Sequence, residues 1–227
     1  MIVTIDGPTA SGKSSVAQAV AKNVHFYYLN TGMLYRAVTY LLVNHLGYTQ
    51  QSLQQVQVED LIVCTDPQVL QYRYDSGEGV TITYHADSIT QFLKDASIDM
   101  LVCVISPQPL VREHLSMVQR AIAAHNNVVI EGRDTGSVVF PAAEHKFYLT
   151  ASLSVRAVRW QKDQAKQGNM YTFEEAQERV MFRDMRDQSR NHSPLIIAAG
   201  AQVVDNSELN FDQTVEIITK KIVGDVA

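Results

Sequence analysis

The feature that most constrains this chain is Gly7-Pro8-Thr9-Ala10-Ser11-Gly12-Lys13-Ser14, which matches G-x-x-x-x-G-K-[ST] at every fixed position. Ahead of it, Ile2-Val3-Thr4-Ile5 is short and β-branched; behind it, a helix-period stretch runs from Lys13 to about Lys22. Strand, glycine loop and helix in that order form the context in which such an octapeptide wraps phosphates. The glycines let the backbone approach closely, loop amides and the helix N-terminus supply donors, Lys13 reaches the transferring phosphate and the Ser14 hydroxyl suits Mg²⁺. The motif specifies a nucleoside triphosphate and leaves open what is done with it.

Length and composition narrow the choice. At 227 residues, 46% hydrophobic and 19% charged, with 11 Gly and 6 Pro, the chain is too apolar and too varied for a collagen-like, low-complexity or disordered class, and is long enough for one large domain. It has little room for the mechanical part of a motor ATPase, and no Asn-Lys-x-Asp stretch is present to read guanine. A compact phosphoryl transferase remains. The net charge of −5 gives a field that draws neither nucleic acid nor an anionic membrane, so any polyanion has to be met locally. Cys64 and Cys103 lie far apart without a CxxC pattern or metal spacing, and no apolar run is long enough to span a bilayer. A reducing cytoplasm is the expected location, with no nucleic-acid or membrane partner and a monomer as the working state.

Periodicity places further elements. A run at Phe26-Tyr27-Tyr28-Leu29 precedes a helix from Gly32 to about His45, with Gly47 placed to end it. Leu70 to Tyr74 and Val80 to Tyr84 alternate around Asp75-Ser76-Gly77-Glu78-Gly79, the pattern of an antiparallel hairpin. Helical patterns follow from Ile89 to about Val104, from Leu110 to Ala124 and from about Phe173 to Arg190. Buried-type strands are expected at Val128-Ile130, Phe147-Leu149 and Gln202-Val204. Strands alternating with helices predict a parallel sheet flanked by helices, interrupted by the hairpin.

A transferase that joins a triphosphate to a second phosphate has to neutralise crowded negative charge, which guanidinium groups do with two donors at once. Arg179, Arg183, Arg186 and Arg190 fall along one face of the expected Phe173 to Arg190 helix, with Asp184 and Asp187 beside them. A solvated face of ion pairs is the plain alternative. Asn30 to Arg36 and Ile130 to Gly136 are expected as polar loops at strand ends, where α/β proteins place ligands; Arg133-Asp134 could equally be a turn with a local ion pair.

From this point the residues resemble the bacterial-type cytidylate kinases, in the nucleoside monophosphate kinase group of phosphate-loop proteins. The likeness rests on Ile5-Asp6-Gly7-Pro8, Thr31-Gly32-Met33-Leu34-Tyr35-Arg36, Val111-Arg112-Glu113, Gly132 to Pro141 and Arg183-Asp184-Met185-Arg186-Asp187, in the family's order. It implies a P-loop kinase fold of the α/β class: a central parallel sheet flanked by helices, a small antiparallel insertion and a mobile lid. The implied organisation is one domain over 1–227, with a monophosphate-binding region at 32–112, the insertion at about 66–95, and the lid with the arginine-rich helix at 153–190.

The same resemblance implies the reaction and its residues. The γ-phosphoryl group of ATP, with Mg²⁺ held through Ser14, would pass to CMP or dCMP. Gly7, Pro8, Thr9, Ala10, Ser11, Gly12, Lys13, Ser14 and Ser15 would hold ATP. Arg36, Arg133 and Arg190 would hold the acceptor phosphate, Arg112 and Asp134 the cytosine edge, and Arg183 with Asp187 the ribose. Thr31 and Cys103 complete the acceptor set. Lys13, Arg133, Arg156, Arg159, Arg183 and Arg190 would stabilise charge in transit, with Arg156 and Arg159 closing over the donor phosphates. The chain departs from the family pattern at Cys103, where a serine is usual, at Lys94 in place of an arginine, and at Arg159-Trp160 in place of an Arg-Arg pair. Cytosine presents an amino donor where uracil presents a carbonyl acceptor, so a carboxylate at Asp134 suits the first and repels the second. A phosphate monoester, with a second pKa of about 6, is already dianionic at neutral pH and needs no general base. Glu131 is expected either near the magnesium waters or in a structural ion pair. A kinase for another monophosphate or for a hydroxylated metabolite such as shikimate, and a nucleotide sensor with little turnover, are the competing readings.

Overall fold

The computed structural model describes residues 1–224. In chain order the elements are β1 (Ile2–Asp6), α1 (Lys13–Asn23), β2 (Tyr27–Asn30), α2 (Thr31–Asn44), α3 (Val58–Thr65), β3 (Leu70–Asp75), β4 (Gly79–Tyr84), β5 (Asp87–Ser88), α4 (Ala96–Ile105) and α5 (Pro109–Ala123). They continue with β6 (Val128–Gly132), β7 (His145–Thr150), α6 (Leu153–Ala165), α7 (Phe173–Gln188), β8 (Gln202–Asp205) and α8 (Phe211–Gly224). Two compact units emerge: a first made of residues 1–26 with those from 127 onward, and a second spanning Tyr27–Asn126.

In the first unit four parallel strands lie in the order β6-β1-β7-β8. β1 is central, and Val3 and Ile5 are wholly buried, as expected for a strand covered on both faces. The register pairs Ile5 with Glu131 and Asp6 with Gly132. Parallel pairing therefore brings the carboxyl ends of β1 and β6 side by side, and with them the phosphate loop and the loop carrying Arg133 and Asp134. That edge is where α/β sheets place ligands. Gly7 makes the first turn possible: its φ is +153°, and a Cβ there would sit 2.0 Å from the Leu149 carbonyl oxygen of β7. No side chain larger than hydrogen fits.

The second unit has its own core, drawn from Val38, Leu41, Leu42, Leu53, Leu61, Ile82, Ile105 and Leu115 among others. The hairpin is present as β3 and β4, paired Leu70 to Tyr84 through Asp75 to Gly79, and β5 adds a third antiparallel strand. Tyr72 ties it to β2, its hydroxyl accepting from the Asn30 amide at 2.8 Å.

Three local expectations change. The helix-rich stretch expected from Ile89 to about Val104 divides: a 3₁₀ turn at Thr90–Phe92 precedes Leu93, Lys94 and Asp95, and α4 starts at Ala96. Asn30 to Arg36 is not a loop, because the Asn30 side chain accepts from the Met33 amide at 3.0 Å and caps α2, which begins at Thr31. α7 ends at Gln188, so Arg190 lies beyond it.

Candidate active site

In the first unit the loop and its surroundings form one connected polar network. Lys13, at the start of α1, is almost fully buried and its Nζ donates to the Pro8 carbonyl at 2.6 Å and to the Ser11 hydroxyl at 3.3 Å. Burial, with the nearby Arg133 charge, pulls its pKa down to about 7, while Glu131, Asp187 and Asp184 oppose the shift. Ser14 donates to Glu131 Oε1 at 2.6 Å, which places a hard-oxygen pair at the loop's end.

Asp187 is the hub of the neighbouring cluster. Its Oδ2 accepts from Arg133 Nε at 2.7 Å, and its Oδ1 pairs with Arg190. Burial alone would raise its pKa, but the Arg133 and Arg190 charges outweigh that and hold it below the ordinary value. Arg133 shows the converse: burial opposes its charge, and Asp187, Glu131 and Asp184 more than compensate. Asp184, one turn earlier on α7, accepts from the Thr9 amide at 2.8 Å and pairs with Arg156, which also donates to the Thr9 carbonyl at 3.1 Å. Arg159 donates to Asn206 Oδ1 at 2.9 Å and to the Ser11 carbonyl at 3.4 Å, and Asn206 Nδ2 donates to the same carbonyl at 3.0 Å. Burial lowers the Arg159 pKa. Arg156 and Arg159, expected over the donor phosphates, are thus anchored to the backbone of the phosphate loop.

The stripe of arginines on α7 divides. The buried face of the helix is Ala176, Val180, Asp184 and Asp187, so the carboxylates point inward. Arg179 lies 5.4 Å from the Tyr171 ring and Arg186 5.9 Å from the Phe182 ring, both as cations over aromatic faces. Arg183 is half-buried on the same helix.

After β6, Gly132 leads through Arg133 and Asp134 into a π-helical turn, Thr135–Val139. Asp134 is buried. Sequence reasoning passed over Asp6, whose carboxylate accepts from the Thr135 amide at 3.0 Å, the Thr135 hydroxyl at 2.7 Å and the Gly136 amide at 2.7 Å. It also gave no role to Asn206. Asp6 stood in a quoted motif and Asp184 beside the arginines, but Asn206 carried no signal.

The remaining expected residues lie in the second unit. Thr31 is buried in the first turn of α2. Arg36 pairs with Asp99 and donates to the Leu93 carbonyl at 3.1 Å. Arg112 is buried, donates to the Ser106 carbonyl at 2.9 Å and lies 5.6 Å over the Tyr35 ring. The Cys103 thiol contacts the Asp99 carbonyl of its own helix at 3.5 Å, so Asp99 touches both Arg36 and Cys103. No helix among the described residues is long and apolar enough to cross a membrane.

The family model described as "Cytidylate kinase" matches residues 3–223. Among curated proteins, a cytidylate kinase of Thermodesulfovibrio yellowstonii is 35% identical, covering 99% of this chain and 98% of that protein. One of Carboxydothermus hydrogenoformans is 38% identical over 97% of this chain and 98% of its own length. A crystal structure of an uncharacterised protein from Eubacterium ventriosum shares the fold at a TM-score of 0.50 and 12% identity, covering 98% of each chain. A match that runs through the phosphate loop, the Arg133-Asp134 loop and α7 alike leaves one conclusion: the chain belongs to the cytidylate kinase family.

Proposed function

We propose that the phosphate loop and its carboxylate-held arginines carry out the reaction of this family, with the residue roles that follow. The chain is a kinase: it moves the γ-phosphoryl group of ATP to the phosphate of CMP or dCMP, giving ADP and CDP or dCDP. Gly7 to Ser15 hold ATP. Ser14 and Glu131 fit a Mg²⁺ ion, being paired oxygen groups at the loop, and when bound that ion neutralises charge on the donor phosphates. Arg36, Arg133 and Arg190 hold the acceptor phosphate. Thr31, Cys103, Arg112 and Asp134 take the cytosine side, and Arg183 with Asp187 take the ribose. Residues 32–112 form the acceptor-binding region, and residues 153–190 the lid.

The observation that carries these roles is that four of the phosphate-side arginines, Arg36, Arg133, Arg156 and Arg190, are each aimed by a carboxylate, while Arg159 is held by Asn206 and the Ser11 carbonyl. Asp187 orients Arg133 and Arg190, Asp99 orients Arg36, and Asp184 orients Arg156. A guanidinium has five donors, so one carboxylate fixes its plane while others stay available for a phosphate. Pre-aimed cations lose little ordering entropy when two mutually repelling anions arrive, and they act where charge builds up in transfer. Lys13 adds a short-range cation at the loop once the donor phosphates are bound, because their negative charge opposes the burial that lowers its pKa. The dianionic acceptor supplies its own nucleophilic oxygen, so no basic side chain is required. Both cysteines are free thiols, which supports a reducing cytoplasmic setting.

The test is ADP formation from MgATP with CMP, dCMP, UMP, AMP, GMP and shikimate supplied separately, with Lys13→Ala protein as background. CMP and dCMP should stimulate strongly, and Lys13→Ala should lower turnover by on the order of a hundredfold or more. Stimulation by shikimate or AMP in preference to CMP would overturn the acceptor assignment, and no stimulation by any acceptor would favour a sensor.

A further inference from the structure

We propose that Asp6 is a positioning residue for cytosine recognition: from the end of β1 its carboxylate caps the π-helical turn that follows Asp134, and so sets where the Asp134 carboxylate stands. The inference rests on the reading of Asp134 as the group that accepts from the cytosine amino group.

The geometry runs from the backbone outward. In the turn, the Asp134 carbonyl accepts from Val138 and Val139 at 2.9 and 3.2 Å, and the Thr135 carbonyl accepts from Phe140 at 2.7 Å. Such a turn leaves its first amides, Thr135 and Gly136, without partners inside it, and both residues are buried. Asp134 occupies the N-cap position, yet its side chain makes no cap bond. The cap comes instead from Asp6, 129 residues away in sequence, which takes both amides and the Thr135 hydroxyl. Capping by the local side chain would bend Asp134 back onto its own turn; capping from β1 does not use the Asp134 side chain.

The fit is close on the other side as well. A Cβ on Gly136 would sit 2.7 Å from the Thr4 hydroxyl and 3.4 Å from Asp6 Oδ2, so the turn lies directly against β1. Burial pushes the Asp6 carboxyl up, the bonds from Gly136 and Thr135 pull it back, and the Asp134 charge adds to the rise. Two carboxylates held this near each other repel, and the three donated bonds offset that repulsion. Because Asp6 directly precedes Gly7, one residue joins the base-reading turn to the phosphate loop.

The experiment compares Asp6→Asn, Thr135→Ala and Asp134→Asn for kcat and KM with CMP and UMP, KM for ATP, and thermal midpoint. Asn keeps the size of Asp but presents an NH₂ where amides donate. Asp6→Asn should lower the CMP over UMP ratio of kcat/KM by roughly tenfold, through KM for CMP, with KM for ATP within about twofold. Thr135→Ala, which keeps the charge and both amide bonds, should shift the ratio the same way by about two- to fivefold and keeps the inference testable if Asp6→Asn fails to fold. The double variant Asp6→Asn with Asp134→Asn should be no less selective than Asp134→Asn alone. If Asp134→Asn abolishes selectivity while Asp6→Asn and Thr135→Ala leave it intact, the positioning role is overturned and the base contact stands. If Asp134→Asn itself leaves selectivity intact, the base contact is wrong, and the role proposed for Asp6 goes with it.

Discussion

Asp187 shows how a single buried carboxylate can hold two guanidinium groups at once. It is buried between Arg133 and Arg190, so its charge is compensated twice, and removing it leaves two guanidinium groups facing each other. Asp187→Asn should cost about 3 kcal/mol at pH 7, read by urea unfolding. The sign with pH follows from the depressed pKa of the folded carboxyl. Its contribution is complete above the unfolded value of 3.8 and is lost as pH falls through 3.8 towards the lower folded value. The gap between wild type and Asp187→Asn should therefore hold from pH 7 to 5 and narrow below about pH 4. A gap that stays constant down to pH 3 would mean that the ionisation of Asp187 is not coupled to folding. At this scale the sequence is informative only where neighbours are local. Gly7, Lys13 and Ser14 are legible because an eight-residue motif fixes their spacing. Asp6, Asp184 and Asn206 reach partners 129, 175 and 195 residues away, and no local pattern marks such pairs.

Elements are legible where periodicity is long and caps are standard. β1, α1, α5 and the β3-β4 hairpin fall within a residue or so of the expected bounds. α4 does not, because Leu93 is buried at a helical spacing although the backbone breaks there before Ala96. The helix expected to reach Arg190 ends at Gln188, and the last arginine, beyond the helix, pairs with Asp187. The start of α7 is specified chemically. Thr172 accepts from the Glu175 amide at 3.2 Å, and the Glu175 carboxylate accepts from the Thr172 amide at 2.8 Å, a reciprocal capping box. This helix carries Arg183, Asp184 and Asp187, so its N-terminus supports the site from a distance. Thr172→Ala should destabilise the protein by about 1 kcal/mol in denaturant unfolding and leave KM for CMP within about twofold. A large rise in KM with no loss of stability would place Thr172 in the site itself.

Across the whole molecule, a net charge of −5 coexists with two anionic substrates, so attraction cannot come from the overall field. The cations that matter are concentrated and ordered: Lys13, Arg133, Arg156 and Arg159 around the loop of the first unit, and Arg36 and Arg112 in the second. Each unit has its own apolar core, and the residues assigned to the acceptor in the second unit, Thr31, Arg36, Cys103 and Arg112, stand on α2, α4 and α5, which that core packs together. Damage to that core should therefore act on one substrate before the other. Leu115 is wholly buried on α5, three residues after Arg112. Leu115→Ala removes most of a buried side chain and leaves a cavity, at a cost of about 2–5 kcal/mol. α5 is then free to shift by fractions of an ångström, and the Arg112 guanidinium, held over Tyr35 and against Ser106, shifts with it. KM for CMP should rise severalfold while KM for ATP, whose loop belongs to the first unit, changes little. Steady-state kinetics on the folded variant at 25 °C, beside urea unfolding, would check both parts. Equal rises in the two KM values would show that the two cores do not support the two substrates separately.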